Sequence, residues 1–200
     1  MTAPECLPRM QRMKVFTGIT RRMLFGTLLG LCGTTALPQT PAPSYYNVEI
    51  VVFRSGSDAG ALPDTALPAP ATESDEDVEI TPATADKLGI ATNRLRGKNS
   101  GFRVLAHVAW TQTPTSFGSQ HGASAAQLGL GQNISGRVFL ERGQNLNLRV
   151  DLTVEDGGHR YRINELRRNV KSSQIHYFDH PAMGVLAMIS PGSAPSPATP

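Results

Sequence analysis

Hydrophobic residues alternate with polar ones along several segments of the chain, and this period of two predicts β-strands. The clearest alternation runs through residues 146–154, LNLRVDLTV, where every second side chain is Leu or Val. A similar pattern occupies residues 101–112, GFRVLAHVAWTQ. Residues 45–53, YYNVEIVVF, become apolar on both faces near their end, which is typical of a central strand. Three long strands are therefore predicted from the alternation alone.

Turn signals separate the remaining strands. Residues 156–158, DGG, predict a hairpin turn, and residues 142–145, RGQN, predict another. Ser172 and Ser173 are expected to turn the chain before the next strand. The strands that these turns connect are predicted at residues 134–141, 161–165, 174–178 and 185–189.

One segment, residues 84–96, has apolar residues at helical spacing. Thr84 is expected to cap this helix, Asp86 to lie in its first turn, and Gly97 to end it. A single helix among strands that are joined by short hairpins predicts an α+β fold. The expected architecture is a mainly antiparallel sheet of about six or seven strands with one helix packed on one face.

The first 36 residues have the features of a secretory signal in the expected order. Arg21 and Arg22 precede a short apolar stretch, small residues follow, and cleavage is expected after Ala36. The apolar run is about ten residues long, well short of the roughly 20 that span a bilayer. A twin-arginine route is a weaker alternative, and so is lipid anchoring at Cys32, because Leu31 stands where a small residue is needed. We therefore predict export by a cleaved signal, with no transmembrane segment in the mature chain.

Composition divides the rest of the chain. Residues 37–44 form a Pro-rich spacer, and a single domain is expected at residues 45–190. Residues 55–82 are rich in Gly, Pro, Asp and Glu, so they cannot bury enough apolar surface to order themselves. They are predicted to be a mobile acidic insert. Residues 191–200, rich in Pro, Ser and Ala, are predicted to be a disordered tail.

The positive charge of the whole chain comes from its leader. The chain has 19 Lys+Arg and 16 Asp+Glu, but residues 1–36 hold five cations and one anion. The remainder is close to neutral and does not predict nucleic-acid binding. Both cysteines, Cys6 and Cys32, also lie in the leader, which excludes thiolate chemistry from the mature domain. Residues 91–200 carry twelve cations and six anions, so an acidic partner is expected to bind this half.

The segment at residues 167–189, RRNVKSSQIHYFDHPAMGVLAMI, concentrates cationic, aromatic and acidic side chains. His176, Asp179 and His180 offer three metal ligands within five residues, but on a strand that ends in a turn their side chains need not converge. We therefore interpret these residues, with Pro181, as a structural motif. Asp179 caps the turn in this interpretation, a histidine bonds the backbone, and the intervening aromatic residues pack in the core.

The sequence predicts neither catalytic machinery nor a cofactor. No serine lies in a GxSxG elbow, and free combinations of Ser, His and Asp have almost no specificity. Paired carboxylates for glycoside cleavage would need rigid elements, whereas most acids lie in the acidic insert. We therefore expect a protein that is not an enzyme.

The strand at residues 161–165 and its flanks hold most of the candidate ligand-binding cations. Alternation places Arg160, Arg162 and Arg168 on the face opposite Tyr161 and Ile163, where their guanidinium groups can bind carboxylates bidentately. The alternative is a solvated sheet face on which arginines pair with acids of a neighbouring strand. The acids named for such pairs are Asp151 and Glu155.

Aromatic residues complete the candidate site. The lone tryptophan, Trp110, is either a platform on which a sugar stacks or a core residue at the end of an alternating strand. The candidate ligand-binding residues are Arg167, Arg168, Lys171, Tyr177 and Trp110.

Five segments of the chain, in the same order and spacing, resemble the periplasmic peptidoglycan-binding CsiV family. These segments are YYNVEIVVFR, FRVLAHVAWTQ, ISGRVFLERG, NLNLRVDL and ELRRNVKSSQIHYFDHPAMGVLAMI, and HYFDHP is the most specific element. Where the family tends to have Arg-Arg-Met-Arg-Ser-Gly-Glu-Leu-His-Tyr, this chain has Asn169, Val170, Lys171 and Gln174. A role that needs an acid in this turn is therefore not expected.

The resemblance implies a non-catalytic periplasmic protein of Gram-negative bacteria that binds peptidoglycan. It also implies a partner, an outer-membrane lipoprotein that activates a bifunctional wall synthase. Our hypothesis is that Arg167, Arg168 and Lys171 attract carboxylates of the wall, while Tyr177 and Trp110 are platforms for sugar or peptide. The alternatives are a protein-binding adaptor that uses a sheet edge or the acidic insert, and a cryptic wall hydrolase.

Overall fold

The computed structural model describes residues 44–56 and 77–194. These residues form ten strands and one helix. In chain order the elements are β1 (Tyr45–Ser55), β2 (Thr81–Ala83), α1 (Gly89–Leu95), β3 (Phe102–Gln112), β4 (Thr115–Ser116), β5 (Ala123–Ser124), β6 (Ile134–Arg142), β7 (Leu146–Asp156), β8 (His159–Asn169), β9 (Ile175–His180) and β10 (Met183–Gly192).

The strands belong to two sheets. The first sheet has the order β2-β3-β1-β10-β9, and all of its neighbouring strands are antiparallel. The second sheet has the order β4-β6-β7-β8, with β5 pairing β6 beside it. Its long strands are antiparallel, and the two-residue β4 pairs β6 in parallel. Because β8 ends the second sheet and β9 ends the first, the chain passes from one sheet edge to the other between Asn169 and Ile175.

The two sheets pack face to face, since residues from both of them form one apolar cluster. Val48, Ile50 and Val52 alternate along β1 and are fully buried, as the period of two requires. Burying each side chain of this size contributes about 1.5–3 kcal/mol to folding. Further members of the cluster are Val138, Leu140, Leu148, Val150, Leu152, Val154, Tyr161, Ile163, Phe178, Val185, Ala187 and Ile189.

Helix α1 packs on the outer face of the first sheet, and a side chain of that sheet holds its start. The buried Glu49 of β1 accepts hydrogen bonds from the backbone N–H groups of Lys87 and Leu88, both at 2.8 Å. Its carboxylate Oε1 also lies 2.7 Å from Nε2 of His107 on β3. The expectation that the helix begins with a Thr84 cap is therefore wrong. The carboxylate of a paired strand satisfies backbone donors that a local cap would otherwise serve.

The predicted fold class is confirmed: the described residues are mostly antiparallel strand with a single short helix. The seven strands expected from the sequence correspond to β1, β3, β6, β7, β8, β9 and β10. The alternation did not indicate that these strands divide between two sheets. Among the described helical residues, none forms a segment long and apolar enough to cross a bilayer.

At two predicted boundaries, the strands extend into segments that were expected to be disordered or mobile. Strand β10 continues to Gly192, so the first residues of the predicted tail pair with β1. Residues 77–82, the end of the predicted insert, include part of β2 and Asp77, which forms an ion pair with Arg137 at 2.6 Å. The predicted leader, most of the spacer, residues 57–76 of the insert and residues 195–200 lie outside the described residues.

Candidate ligand-binding site

A β-bulge in β8 decides where its arginines lie. The β7–β8 register shifts between Val150 and Leu152, so two residues of β8 oppose one residue of β7. After the bulge Arg167 pairs with Arg149 on the outer face, and Arg168 pairs with the inward-facing Leu148. The prediction that Arg168 shares a face with Arg160 and Arg162 is therefore wrong, because one extra residue reverses the alternation.

The arginines before the bulge are engaged by acids of β7. Arg162 binds Asp151 bidentately, with N–O distances of 2.8 and 2.9 Å. Arg160 binds Oε1 of Glu155 through two nitrogens at 3.0 and 3.2 Å. The alternative of a paired sheet face is thus confirmed for these two arginines. The Glu155 pair is largely exposed, so it is worth at most about 1 kcal/mol.

A buried carboxylate holds Arg167 of β8 and Arg149 of β7. Glu141 of β6 has no exposed surface, and its Oε1 accepts a hydrogen bond from Nε of Arg149 at 2.9 Å. Its Oε2 lies 3.1 Å from Nε of Arg167. The guanidinium of Arg167 also lies over the ring of Phe117, 4.6 Å from its centroid. Arg167 is therefore already occupied by contacts within the protein, although part of its side chain is exposed.

Arg168 and Lys171 have fewer internal contacts. Both are exposed, and among the described residues neither belongs to an ion pair. The guanidinium of Arg168 lies 5.7 Å from the ring centroid of Phe178 on β9. The backbone of Lys171 is held by His176, whose Nε2 lies 3.2 Å from both its nitrogen and its oxygen. These two cations border the crossover from β8 to β9 and can interact with anions in solution.

The HYFDHP motif forms β9 and the turn into β10, and its side chains have separate partners. His176 contacts the backbone of Lys171, and Nδ1 of His180 accepts a hydrogen bond from the backbone of Ala182 at 3.2 Å. Asp179 accepts a bond from the hydroxyl of Tyr177 at 2.6 Å, and the turn backbone is bonded by His180 where an Asp179 cap was predicted. Pro181 lies in the two-residue turn that follows. Within the described ranges, no three acidic, histidine or cysteine side chains are grouped to hold a metal.

The aromatic residues of the motif face opposite ways. Phe178 is fully buried in the core, as predicted, whereas Tyr177 is 42% exposed on the outer face of the first sheet. The Tyr177 ring is stacked on Phe53 of β1, with centroids 6.1 Å apart and an interplanar angle of 14°. Phe102 of β3 meets Phe53 edge-on at 5.3 Å and is 44% exposed. We call Phe102, Phe53 and Tyr177 the aromatic row.

A glycine makes this stacking possible. Gly184 of β10 lies beneath the row, and a Cβ there would come within 2.6 Å of both Phe53 Cζ and Tyr177 Cε2. Any other residue at this position would have to displace one of the two rings. The row therefore depends on a strand that contributes no side chain to it.

The hydroxyl of Tyr177 titrates at unusually high pH. Partial burial raises its pKa, and the hydrogen bond to Asp179 and the negative charge of that carboxylate raise it further, to about 12. The tyrosine is therefore neutral throughout the physiological range. Its ring is available for stacking and its oxygen for hydrogen bonding.

Trp110 does not belong to this surface. It is 1% exposed, and its indole Nε1 donates a hydrogen bond to Oε1 of Gln112 at 2.6 Å. It lies in the core between the sheets, so the interpretation as a core residue is correct and the platform interpretation is not.

The sequence analysis missed both partners of Tyr177 in the aromatic row, the buried Phe53 and the exposed Phe102. A signal was present: both are followed by arginine, and the two Phe-Arg pairs stand at the ends of strands that pair with each other. Arg54 lies opposite Arg103 in the β1–β3 register. Recognising that signal required knowing that β1 pairs with β3.

Fold and surface together define a class, a two-sheet domain that presents exposed aromatic rings on the outer face of one sheet. Exposed aromatic surface of this kind is typical of ligand-binding proteins. The model of a family described as CsiV, peptidoglycan-binding protein, matches residues 138–192. The resemblance found in the sequence is thus confirmed over these residues, which run from β6 to the end of β10. No curated protein and no solved structure gives a significant match to the chain.

Proposed function

We propose that the protein is a non-catalytic peptidoglycan-binding protein of the bacterial envelope. The observation that carries this proposal is the position of the family match, which includes β9 with its exposed Tyr177. Arg168 and Lys171 also lie in the matched region. The proposed wall-binding surface follows the crossover from β8 to β9 and continues onto the aromatic row.

The chemistry of this surface suits the wall polymer. Sugar rings present apolar C–H faces that pack against aromatic rings, and two members of the row are exposed. The carboxylates of the polymer attract Arg168 and Lys171, which no acid among the described residues neutralises. Each exposed charge contact contributes at most about 1 kcal/mol and is screened by salt. The proposed binding is therefore of moderate affinity and weakens as salt is added.

A finer role follows from the family resemblance. We propose that the protein acts in the periplasm after export by its N-terminal signal. Its binding to the wall would support an outer-membrane lipoprotein that activates a bifunctional wall synthase. This partner is proposed from the resemblance alone.

Co-sedimentation with purified sacculi tests the proposed function. The wild type is expected to sediment with sacculi, and Tyr177→Ala is expected to reduce its affinity about tenfold, which corresponds to about 1.4 kcal/mol. Tyr177→Phe keeps the ring and is expected to retain most of the affinity. Failure of the wild type to sediment would contradict the function, and full retention by Tyr177→Ala would contradict the site.

A second pair of variants tests the cations. The double variant Arg168→Ala, Lys171→Ala is expected to reduce retention and to flatten its salt dependence. The double variant Lys87→Ala, Arg94→Ala is the matched control, because it removes two exposed cations at helix α1, outside the crossover. Equal losses of retention in the two double variants would show that the crossover cations have no specific part in binding.

One alternative has a structural observation in its favour. Strand β9 ends its sheet, so its outer backbone groups are open to pairing with an extended peptide of another protein. An adaptor of this kind would co-purify with a wall-synthesis protein without sedimenting with sacculi. Release of soluble wall fragments from sacculi would instead indicate a hydrolase.

A further inference from the structure

A cleft lies at the end of the sandwich, beside the aromatic row. It has a volume of about 340 Å³, within the usual size range of ligand sites. Its walls come from the start of β3, the end of β7 and the loop that precedes β6. Alternation along β3 turns Phe102 to the outer face and the next residue, Arg103, toward this cleft. The cleft and the row therefore share the same end of the same strand.

The charged residues that line the cleft are Arg103, Glu155 and Asp156. Asp156 is bound by both Arg54 and Arg103, and Glu155 is bound by Arg160. Both carboxylates of the lining are thus neutralised by arginines, and Arg103 is the one arginine among the lining residues. Arg103 also keeps 59% of its side chain exposed, so most of its donors remain accessible to a ligand. A single carboxylate entering the cleft would be attracted to this arginine.

The rest of the lining is apolar and amide-bearing. Leu130 and Ile134 are buried and form part of the floor, with Leu105 beside them. Gln132 and Asn133 contribute amide groups at the rim, which both donate and accept hydrogen bonds. A peptide backbone needs such partners, and the floor suits small apolar side chains such as the methyl group of alanine.

We propose that this cleft binds the carboxylate-bearing end of a short peptide with small apolar side chains. Given the function proposed above, on which this assignment rests, the ligand is the peptide stem of peptidoglycan. Arg103 binds the terminal carboxylate, Asn133 bonds the peptide backbone, and the alanine methyl groups lie on the apolar floor. Glycan on the aromatic row and a stem in the cleft would then bind at the same end of the sandwich.

Calorimetric titration of the full chain with synthetic peptides tests the proposal. The probes are a stem pentapeptide ending in D-Ala-D-Ala, the same peptide as its C-terminal amide, and the same peptide ending in L-Ala-L-Ala. The amide is expected to bind at least tenfold more weakly, because it lacks the charge that Arg103 recognises. Equal affinities for acid and amide would overturn the carboxylate site. Equal affinity for the L-Ala ending would assign the cleft to protein C-termini and overturn the stem as its ligand.

Two variants locate the binding, and sacculi separate this proposal from the proposed function. Arg103→Gln and Asn133→Asp are each expected to weaken binding of the acid at least tenfold. Asn133→Asp leaves the contact of Arg103 with Asp156 intact, and Asn145→Asp makes the same charge change at the other end of β7 as a control expected to have no effect. Wild-type affinity in both cleft variants would overturn the site. Sacculus binding without any peptide binding would overturn the cleft while leaving the proposed function in place.

Discussion

The two sheets present outer faces of opposite chemistry. The outer face of the second sheet carries arginines and carboxylates that bind one another, with Glu141 at its centre fully buried. The outer face of the first sheet carries the aromatic row, whose two end members are more than two-fifths exposed. The charged groups of the second sheet are largely paired with one another, whereas the aromatic rings of the first sheet leave surface available to a ligand.

This difference changes which residues are candidates for binding. Counting cations along the sequence points to β8, which has the densest cluster of arginines. Most of those arginines are occupied by acids of β6 and β7 and so serve stability more than recognition. Binding is instead expected at the exposed rings of the aromatic row and at the two crossover cations, which no acid among the described residues neutralises.

The largest expected effect comes from breaking the charged face at its centre. Glu141→Ala leaves the guanidinium of Arg149 buried without its carboxylate, which should lower the free energy of unfolding by about 3–5 kcal/mol. Urea denaturation followed by circular dichroism measures this change. Sacculus binding by the protein that remains folded should be preserved.

Glu155→Ala is the matched control for this prediction. It removes an exposed partner of Arg160 and should cost at most about 1 kcal/mol. Equal destabilisation by the two substitutions would contradict the larger contribution expected from the buried pair of Glu141 and Arg149.

An intermediate effect is expected from changing the support of the aromatic row. Gly184→Ala places a Cβ 2.6 Å from atoms of Phe53 and Tyr177, so the rings must separate. Overpacking of this kind costs about 1–3 kcal/mol, and we expect weaker sacculus binding as well. Gly89→Ala is the control, because a Cβ at the start of α1 meets nothing within 4 Å. If Gly184→Ala bound sacculi as well as the wild type, the aromatic row would not be part of the binding surface.

The smallest expected effect is a shift in the pKa of the Tyr177 hydroxyl, which stays protonated at neutral pH. Its folded-state pKa is raised from 10.0 to about 12, so its contribution to stability is complete below pH 10 and is lost as the pH rises toward 12. Asp179→Asn removes the negative charge and leaves a neutral, weaker hydrogen-bond acceptor, so it should lower this pKa while leaving the effect of burial. Absorbance titration at alkaline pH, with Tyr177→Phe subtracted, measures the shift. A pKa that did not move would show that Asp179 does not hold the hydroxyl.

Particular residues show why some features could be predicted and others could not. The strands were predictable because alternation is visible within ten residues, and β7 shows it without interruption. The start of α1 was not, because the carboxylate that binds its backbone belongs to Glu49, 38 residues before Lys87. The predicted sheet face of Arg168 was wrong for a related reason. A bulge is defined by the pairing with the partner strand, and the sequence of β8 alone does not show it.

The candidate site divides in the same way. The HYFDHP element could be recognised from its letters, and so could the burial of Phe178. The exposure of Tyr177 and the burial of Trp110 depended on which sheet face each strand turns toward the core. The aromatic row joins residues 53, 102 and 177, which no local pattern brings together.

The sequence by itself determined the strands, the hairpin turns and the family resemblance, because each of these is a property of neighbouring residues. Only the tertiary structure decided that the strands form two sheets and that the arginines of β8 are largely neutralised. It also placed the aromatic row on the opposite sheet. The physical reason is that pairing, burial and charge neutralisation depend on contacts between residues far apart in the chain. The alternation of single strands limits those contacts but does not select them.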